Sequence, residues 1–193
     1  MDWIVSLTSE AAPEPLTALA KPPEGASIVE LRLDLLPGLD LRAAVAACPL
    51  PVLATLRSEA EGGRGSLDPT VRRSTLEAAR DAGAALIDLE QARDAALGRE
   101  LGLPPEQIVL SWHDPAATPE ELSAIAESML ERPARWVKVV PTARGLADLE
   151  ALLALHTHCN TGPRARRRLI AFAMGTPGLA SRYLAPLLGP PLS

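Results

Sequence analysis

Val29-Glu30-Leu31-Arg32-Leu33-Asp34 alternates apolar and ionic side chains over six residues. A β-strand turns successive side chains to opposite faces, so Glu30, Arg32 and Asp34 share one face and Val29, Leu31 and Leu33 the other. Three charges on one strand face need partners, and the rest of the chain must supply them.

The same kind of run recurs. Strands are predicted at Trp3 to Leu7, Ser27 to Leu33, Pro51 to Ser58, Ala84 to Glu90, Ile108 to His113, Trp136 to Pro141 and Arg168 to Met174. Each is followed by a helical pattern, the signature of βα units and a parallel sheet. Asp68-Pro69 reads as the N-cap and first-turn proline of a helix, with Gly83 just past its end. Thr118-Pro119-Glu120-Glu121 has the spacing of a capping box, and Pro133 follows that helix. Leu146, Leu149, Leu152, Leu153 and Leu155 give the stretch from Gly145 to His158 a helical period. His156 and His158 at its end read as C-terminal caps or surface residues.

Two α/β architectures fit this alternation, a doubly wound open sheet and a closed barrel. No Gly-x-Gly-x-x-Gly follows the first strand, which removes the main argument for a dinucleotide fold. The strands begin apolar and finish ionic, and in a barrel such ends meet at one mouth. The expectation is a (β/α)8 TIM-type barrel, one catalytic domain over residues 1–193.

Composition narrows the function. A formal net charge of -5 argues against general nucleic-acid binding, although Arg164, Arg166, Arg167 and Arg168 form one basic cluster. That cluster reads as a solvated helix–strand connection, with a local anion site as the alternative. Cys48 and Cys159 have no paired spacing or neighbouring ligands, so neither a disulfide framework nor a metal site is expected. No run approaches a membrane span, and the first strand carries no basic leader, so a cytoplasmic location is expected.

The chemistry-bearing candidates lie at strand ends: Arg57 with Glu61-Gly62-Gly63 beyond it, Asp88 and Glu90, Ser111-Trp112-His113-Asp114, and Lys138 within Trp136-Val137-Lys138-Val139-Val140. Lys21 and Lys138 are the only lysines among 19 basic residues. A guanidinium keeps its charge in any protein environment, whereas an ammonium taken out of water can lose its proton and become a nucleophile. A lysine set in an apolar strand is therefore a candidate for covalent chemistry. Singly, each residue also has a structural reading: Lys138 on an edge strand or snorkelling to solvent, His113 as a satisfied core histidine, Glu30 with Arg32 as an ion pair. Together, an acid, a base, arginines and a lysine can bind an anion, form an imine and move a proton beside it.

At these residues the chain resembles the type I 3-dehydroquinate dehydratases, the Schiff-base enzymes of the shikimate pathway. Glu30-Leu31-Arg32-Leu33-Asp34 is similar to that family's Glu-x-Arg-x-Asp strand, and Arg57-Ser58-Glu59-Ala60-Glu61-Gly62-Gly63 to its Arg-x-x-x-Glu-Gly-Gly segment. Asp88-Leu89-Glu90, Ser111-Trp112-His113-Asp114, Lys138, Met174-Gly175 and Ser181-Arg182 follow in the family order. Ser6 matches a first-strand substrate contact.

The resemblance implies conversion of 3-dehydroquinate to 3-dehydroshikimate and water without a cofactor. It assigns the imine to Lys138 and the proton transfers to His113. Glu61 and Asp88 orient or tune His113, Arg182 pairs with the substrate carboxylate, and Ser6, Glu30, Arg32 and Arg57 hold the hydroxyls and the lysine end of the site. The family continues through an eighth strand, a loop with a Ser-Ala-Pro-Gly-Gln type segment and a last helix, which have no counterpart before Gly189-Pro190-Pro191-Leu192-Ser193. A barrel short of its last unit leaves two sheet edges, for which a homodimer is the expected remedy. Two other readings remain: a class I aldolase with Gly175-Thr176-Pro177-Gly178 as a phosphate turn, and a non-catalytic remnant without its lid.

Overall fold

The computed structural model describes residues 3–8, 15–116, 118, 120–161 and 168–188. They gather into two compact units, one up to Ile108 and the other from Val109 onward. Arg164, Arg166, Arg167, Pro119 and the closing Gly189-Pro190-Pro191-Leu192-Ser193 lie outside the described residues.

In the first unit β1 (Trp3–Leu7), β2 (Ala26–Arg32), β3 (Val52–Thr55) and β4 (Leu86–Glu90) pair in parallel in chain order. Helices α1 (Pro15–Ala20), α2 (Leu41–Ala47), α3 (Pro69–Asp81) and α4 (Leu97–Glu100) lie between and after them. The alternation of β2 sorts as the sequence demands. Val29 and Leu31 join Leu19 of α1, Ala44 of α2 and Val52 in one apolar cluster. On the other face, the register sets Glu30 beside Ser6, and Arg32 beside Thr55, which is itself opposite Asp88.

Helix α3 begins and ends where its punctuation predicts. The Asp68 carboxylate accepts from the N–H of Thr70 and Val71 at 2.8 and 3.1 Å. At the other end Gly83 has φ +91°, and the N–H groups of Gly83 and Ala84 close on the carbonyls of Arg80 and Ala79.

Strand β3 is shorter than predicted, and the reason lies at the coming site. Past Thr55 the chain leaves the ladder and folds back on itself. Gly65 N–H donates to the Arg57 carbonyl at 2.8 Å, and Gly63 N–H to the Ser58 carbonyl at 2.8 Å. Gly62 takes φ +82°, and a Cβ on Gly63 would lie 2.1 Å from the Arg57 carbonyl oxygen. Each glycine of Glu61-Gly62-Gly63 thus has its own physical cause, a left-handed turn for one and a backbone approach for the other. Gly63→Ala is expected to destabilise the fold by about 2–4 kcal/mol, because a backbone oxygen cannot swing aside as a side chain does. Gly25→Ala, with a positive φ but open space, is expected to cost only about 1 kcal/mol. Urea unfolding of the two variants checks this, and equal losses would sink it.

In the second unit β5 (Ile108–His113), β6 (Trp136–Val140) and β7 (Leu169–Ala171) pair in parallel. Helix α5 (Leu122–Leu130) packs on β6, α6 (Leu146–Thr161) on β7, and α7 (Ser181–Leu184) follows a tight 3-10 turn at Pro177–Ala180. Strand β7 stops at Ala171 rather than running to Met174, which instead makes an isolated bridge to Thr142. The capping box does not form. Helix α5 starts at Leu122 without a side-chain cap, and the Thr118 hydroxyl donates to the Thr142 carbonyl at 3.1 Å. At the far end of α5 the Arg168 guanidinium donates to the carbonyls of Leu130, the last helical residue, and of Ala134 beyond it, so this arginine serves the backbone at the helix end.

Helix α6 runs a turn further than predicted, and His156 is neither a cap nor a surface residue. It is fully buried. Its Nδ1 lies 3.0 Å from Asn160 Nδ2, and Asn160 in turn pairs with both the N–H and the carbonyl of Leu169. The side-chain amide thereby fastens α6 to β7 as another strand would. Burial pushes the His156 pKa down to about 4, below the ordinary 6.5, so the folded protein holds it neutral. Its contribution to stability is complete above pH 6.5 and is lost as pH falls toward 4, where the unfolded chain binds the extra proton. Wild type is expected to lose roughly 3 kcal/mol more than His156→Leu between pH 7 and 4, read from urea unfolding at each pH. Parallel curves for the two proteins would refute it.

Candidate active site

The first unit carries most of the sequence-predicted site residues, in two joined groups. Glu30 on β2 is buried and accepts from the Ser6 hydroxyl and, at 2.8 Å, from the Thr55 hydroxyl. Arg32, two residues on, closes a two-pronged bond on Asp34, Nε to Oδ1 at 2.8 Å and Nη2 to Oδ2 at 2.7 Å. Asp34 also accepts from the backbone N–H of Arg57 and Arg64, at 3.3 and 3.1 Å. Burial works to raise the Asp34 carboxyl, but these donors outweigh it and hold its pKa below the ordinary range. The Glu-x-Arg-x-Asp strand thus orients its arginine and pins the loop that follows β3.

That loop delivers Arg57, which is 4% exposed, into a ring of carboxylates. Its Nη1 donates to Glu61 at 2.9 Å and to Glu90 at 3.1 Å, and its Nη2 to Asp88 at 2.9 Å. Burial disfavours the guanidinium charge, yet Asp88, Glu61, Glu90 and Glu30 around it leave it more firmly protonated than an ordinary arginine. One cation faces three carboxylates within bonding distance, and Glu61 feels the excess. Burial above all lifts its pKa to about 7, against the pull of Arg57 and with the help of Glu90 and Asp88. Near neutrality Glu61 can therefore take up or give back a proton, whereas a solvated glutamate cannot.

Arg72 and Asp94 belong to the same network and went unnoticed in the sequence. Arg72 precedes buried Leu76 by four residues and buried Ala79 by seven, which sets it on the apolar face of α3. A charged residue in phase with a helix's buried face was the available signal.

In the second unit Lys138 on β6 lies opposite Ser111 on β5, and His113 is two residues further along β5. The period of two points Ser111, His113 and Lys138 to one face of the sheet. A strand spacing and two residues of rise separate the His113 and Lys138 Cα atoms by about 8 Å, within reach of a lysine side chain. Val137 and Val139, on the opposite face, are fully buried, and Lys138 itself is half-buried.

Arg182 is the second residue of α7, whose first residue, Ser181, anchors it. The Ser181 hydroxyl donates to the Gly178 carbonyl at 2.6 Å and accepts from the Ala173 N–H at 2.8 Å, tying the tight turn to the end of β7. The exposed Arg182 guanidinium then stacks 4.3 Å over the ring of Phe172, the chain's one phenylalanine. In the turn at Gly175-Thr176-Pro177-Gly178, Gly175 takes φ +81° and the Gly178 N–H bonds the Gly175 carbonyl. That N–H is spent within the turn. Among the described residues no cluster of side chains could hold a metal ion, and no helix is long and apolar enough to cross a membrane.

The chain is similar in sequence and fold to known proteins. The family described as Type I 3-dehydroquinase matches residues 3–193. A 3-dehydroquinate dehydratase of Dehalococcoides mccartyi is 36% identical over 184 residues, covering 93% of this chain and 79% of that protein. The solved 3-dehydroquinate dehydratase of Enterococcus faecalis superposes with a TM-score of 0.82 at 23% identity, covering 98% of this chain and 86% of that one. That of Geobacillus kaustophilus gives 0.80 at 25% identity, covering 99% of this chain and 80% of that one. The fold is accordingly α/β of the TIM-barrel type, with seven strands and no complete eighth unit among the described residues. With that family's model matching residues 3–193 and a relative 36% identical over 93% of this chain, the chain belongs to the type I 3-dehydroquinase family.

Proposed function

We propose that this protein dehydrates 3-dehydroquinate to 3-dehydroshikimate through an imine on Lys138, with His113 as the group that moves the protons. The observation that carries the reading is the pairing of β5 with β6, which sets a histidine and a half-buried lysine on one sheet face with Ser111 beside the lysine.

The chemistry follows from these two side chains. The Lys138 amine attacks the ring ketone, and the carbinolamine takes up a proton and loses water to give a protonated imine, the proton being released again when the imine is hydrolysed. That cation draws electrons from the neighbouring carbon, whose proton His113 removes. The adjacent hydroxyl then leaves with a proton returned by His113, and water hydrolyses the imine to free the amine. One water is released in forming the imine, one with the hydroxyl, and one is consumed, so the balance is substrate to product plus one water. No redox partner or cofactor enters.

Glu61 and Asp88 act in this reading as the carboxylates that tune the histidine. A Glu61 pKa of about 7 suits such a role, because its charge then changes near neutrality. Ser6, Glu30, Arg32 and Arg57 hold the hydroxyl end of the substrate, and Arg182 pairs with its carboxylate. The stack on Phe172 supports that last assignment, since it orients the guanidinium without consuming its N–H donors. The protein is read as a cytoplasmic homodimer. Exposed Leu179, Tyr183, Leu184 and Leu187 near α7 give an apolar surface in keeping with self-association, which sedimentation equilibrium tests.

Borohydride added with 3-dehydroquinate is expected to fix one substrate-derived mass on the peptide containing Lys138. An unmodified protein that still forms the conjugated product would exclude the imine.

A further inference from the structure

Arg72 is 2% exposed and lies on a helix, yet almost every donor of its guanidinium is engaged. Nε donates to Asp94 Oδ1 at 2.8 Å and Nη2 to Asp94 Oδ2, a fork on one carboxylate. Nη1 donates to the Ser66 carbonyl at 3.1 Å, and Nη2 also to the Leu56 carbonyl at 3.1 Å. The same Nη2 lies 3.3 Å from Glu90 Oε2. Asp94 is fully buried as well, and its Oδ2 accepts from the Glu90 N–H at 3.1 Å.

Two features set this pair apart from an ion pair that only stabilises. The Leu56 carbonyl belongs to the residue before Arg57, at the point where β3 leaves its ladder, so Arg72 holds the backbone from which Arg57 departs. Glu90 is shared between the two arginines: Oε1 takes Arg57 Nη1 at 3.1 Å and the Ser58 N–H at 2.8 Å, while Oε2 faces Arg72 and, at 3.4 Å, Arg93. A buried carboxylate keeps its charge only while both oxygens are served. Without Arg72, the Glu90 carboxylate draws more strongly on Arg57, which alters how Arg57 holds Glu61 and Asp88.

We propose that Arg72 and Asp94 are positioning residues: by fixing the Leu56 carbonyl and the Glu90 carboxylate, they set where Arg57 stands and how its charge is divided among Glu61, Asp88 and Glu90. The catalytic part of this inference rests on the proposed role of Glu61 and Asp88. The electrostatic part stands on the network alone.

The test is an NMR titration of the Glu61 side-chain carboxyl in 13C-labelled protein, its signal identified by its loss in Glu61→Gln, with kcat and KM measured on 3-dehydroquinate beside it. The groups facing Glu61 are Arg57, Glu90, Asp88 and Arg93, none of which is altered. Arg72→Met removes a cation from the network and is expected to move the midpoint up by about one pH unit. Asp94→Asn removes an anion and moves it down. Arg72→Lys keeps the charge without the fork and restores the midpoint toward wild type, while kcat stays roughly tenfold low with KM changed less than about threefold. A role in stability alone lowers the melting temperature in all three and moves no midpoint. Midpoints that stay put, or that move the same way in Arg72→Met and Asp94→Asn, overturn the proposal. If Arg72→Met does not fold, a midpoint lowered in Asp94→Asn and close to wild type in Arg72→Lys supports it, and equal shifts in the two overturn it. A wild-type protein without dehydratase activity defeats the functional reading, and the midpoints still decide the network.

Discussion

Lys138→Ala is expected to abolish turnover while leaving the protein folded. The half-buried side chain projects from β6 between Trp136 and Val140 on its face, and its removal touches neither Val137 nor Val139 on the packed face. Stability should therefore change by less than about 1 kcal/mol. Activity should fall by roughly ten-thousand-fold or more, because deleting the nucleophile removes the covalent step and with it the electron sink that acidifies the substrate. Lys138→Arg should be as inactive, since a guanidinium stays protonated and cannot attack a ketone. The measurements are product absorbance, borohydride trapping and thermal unfolding for each variant. An alanine variant with more than about 1% of wild-type turnover would remove Lys138 from the mechanism.

Arg57→Met is expected to be the most destabilising single change in the ionic network, at roughly 3–5 kcal/mol near pH 7. The variant leaves Glu61, Asp88 and Glu90 in their buried places without the cation that bonds all three. Glu61, already lifted to about 7 by burial, then loses the charge that holds it down, and its pKa rises further. A group raised in this way contributes stability at low pH and loses it as pH rises through the folded value, so the deficit should shrink as pH is lowered toward 5. Urea midpoints for wild type and variant at several pH values check both the size and the slope. A loss under about 1 kcal/mol with no dependence on pH would mean that the carboxylates are not held by Arg57.

How far these residues could be read from the chain varies with the kind of information each carries. The faces of β2 follow directly from its alternation, and Leu31 and Glu30 are buried on opposite sides for that reason. The bounds of α3 were written in Asp68, Pro69 and Gly83, because caps satisfy local backbone groups with neighbouring residues. Thr118 misled for the complementary reason. A hydroxyl with the spacing of a cap bonds instead to the Thr142 carbonyl, a tertiary neighbour that competes with the helix for the same side chain. His156 was misplaced likewise: its position near the end of a helix suggested solvent, and packing closed over it. The site residues were legible as types and order, through the family's motifs, but not as partners.

By itself the sequence determined the alternation of strands and helices and the face each strand residue takes, and it singled out the lysine, histidine, acids and arginines proposed for the site. These are properties of one or two turns of backbone, and a periodicity of two or 3.6 states them completely. The tertiary structure alone decided that Arg57 bonds Asp88, 31 residues away, that Arg72 bonds Asp94, 22 residues away, and that Glu90 is divided between the two arginines. Those pairings depend on strand register and on the rotation of α3 against its sheet, which distant contacts fix together. The burial that gives the pairings their strength, and lifts Glu61 toward neutrality, exists only once those elements have closed around them.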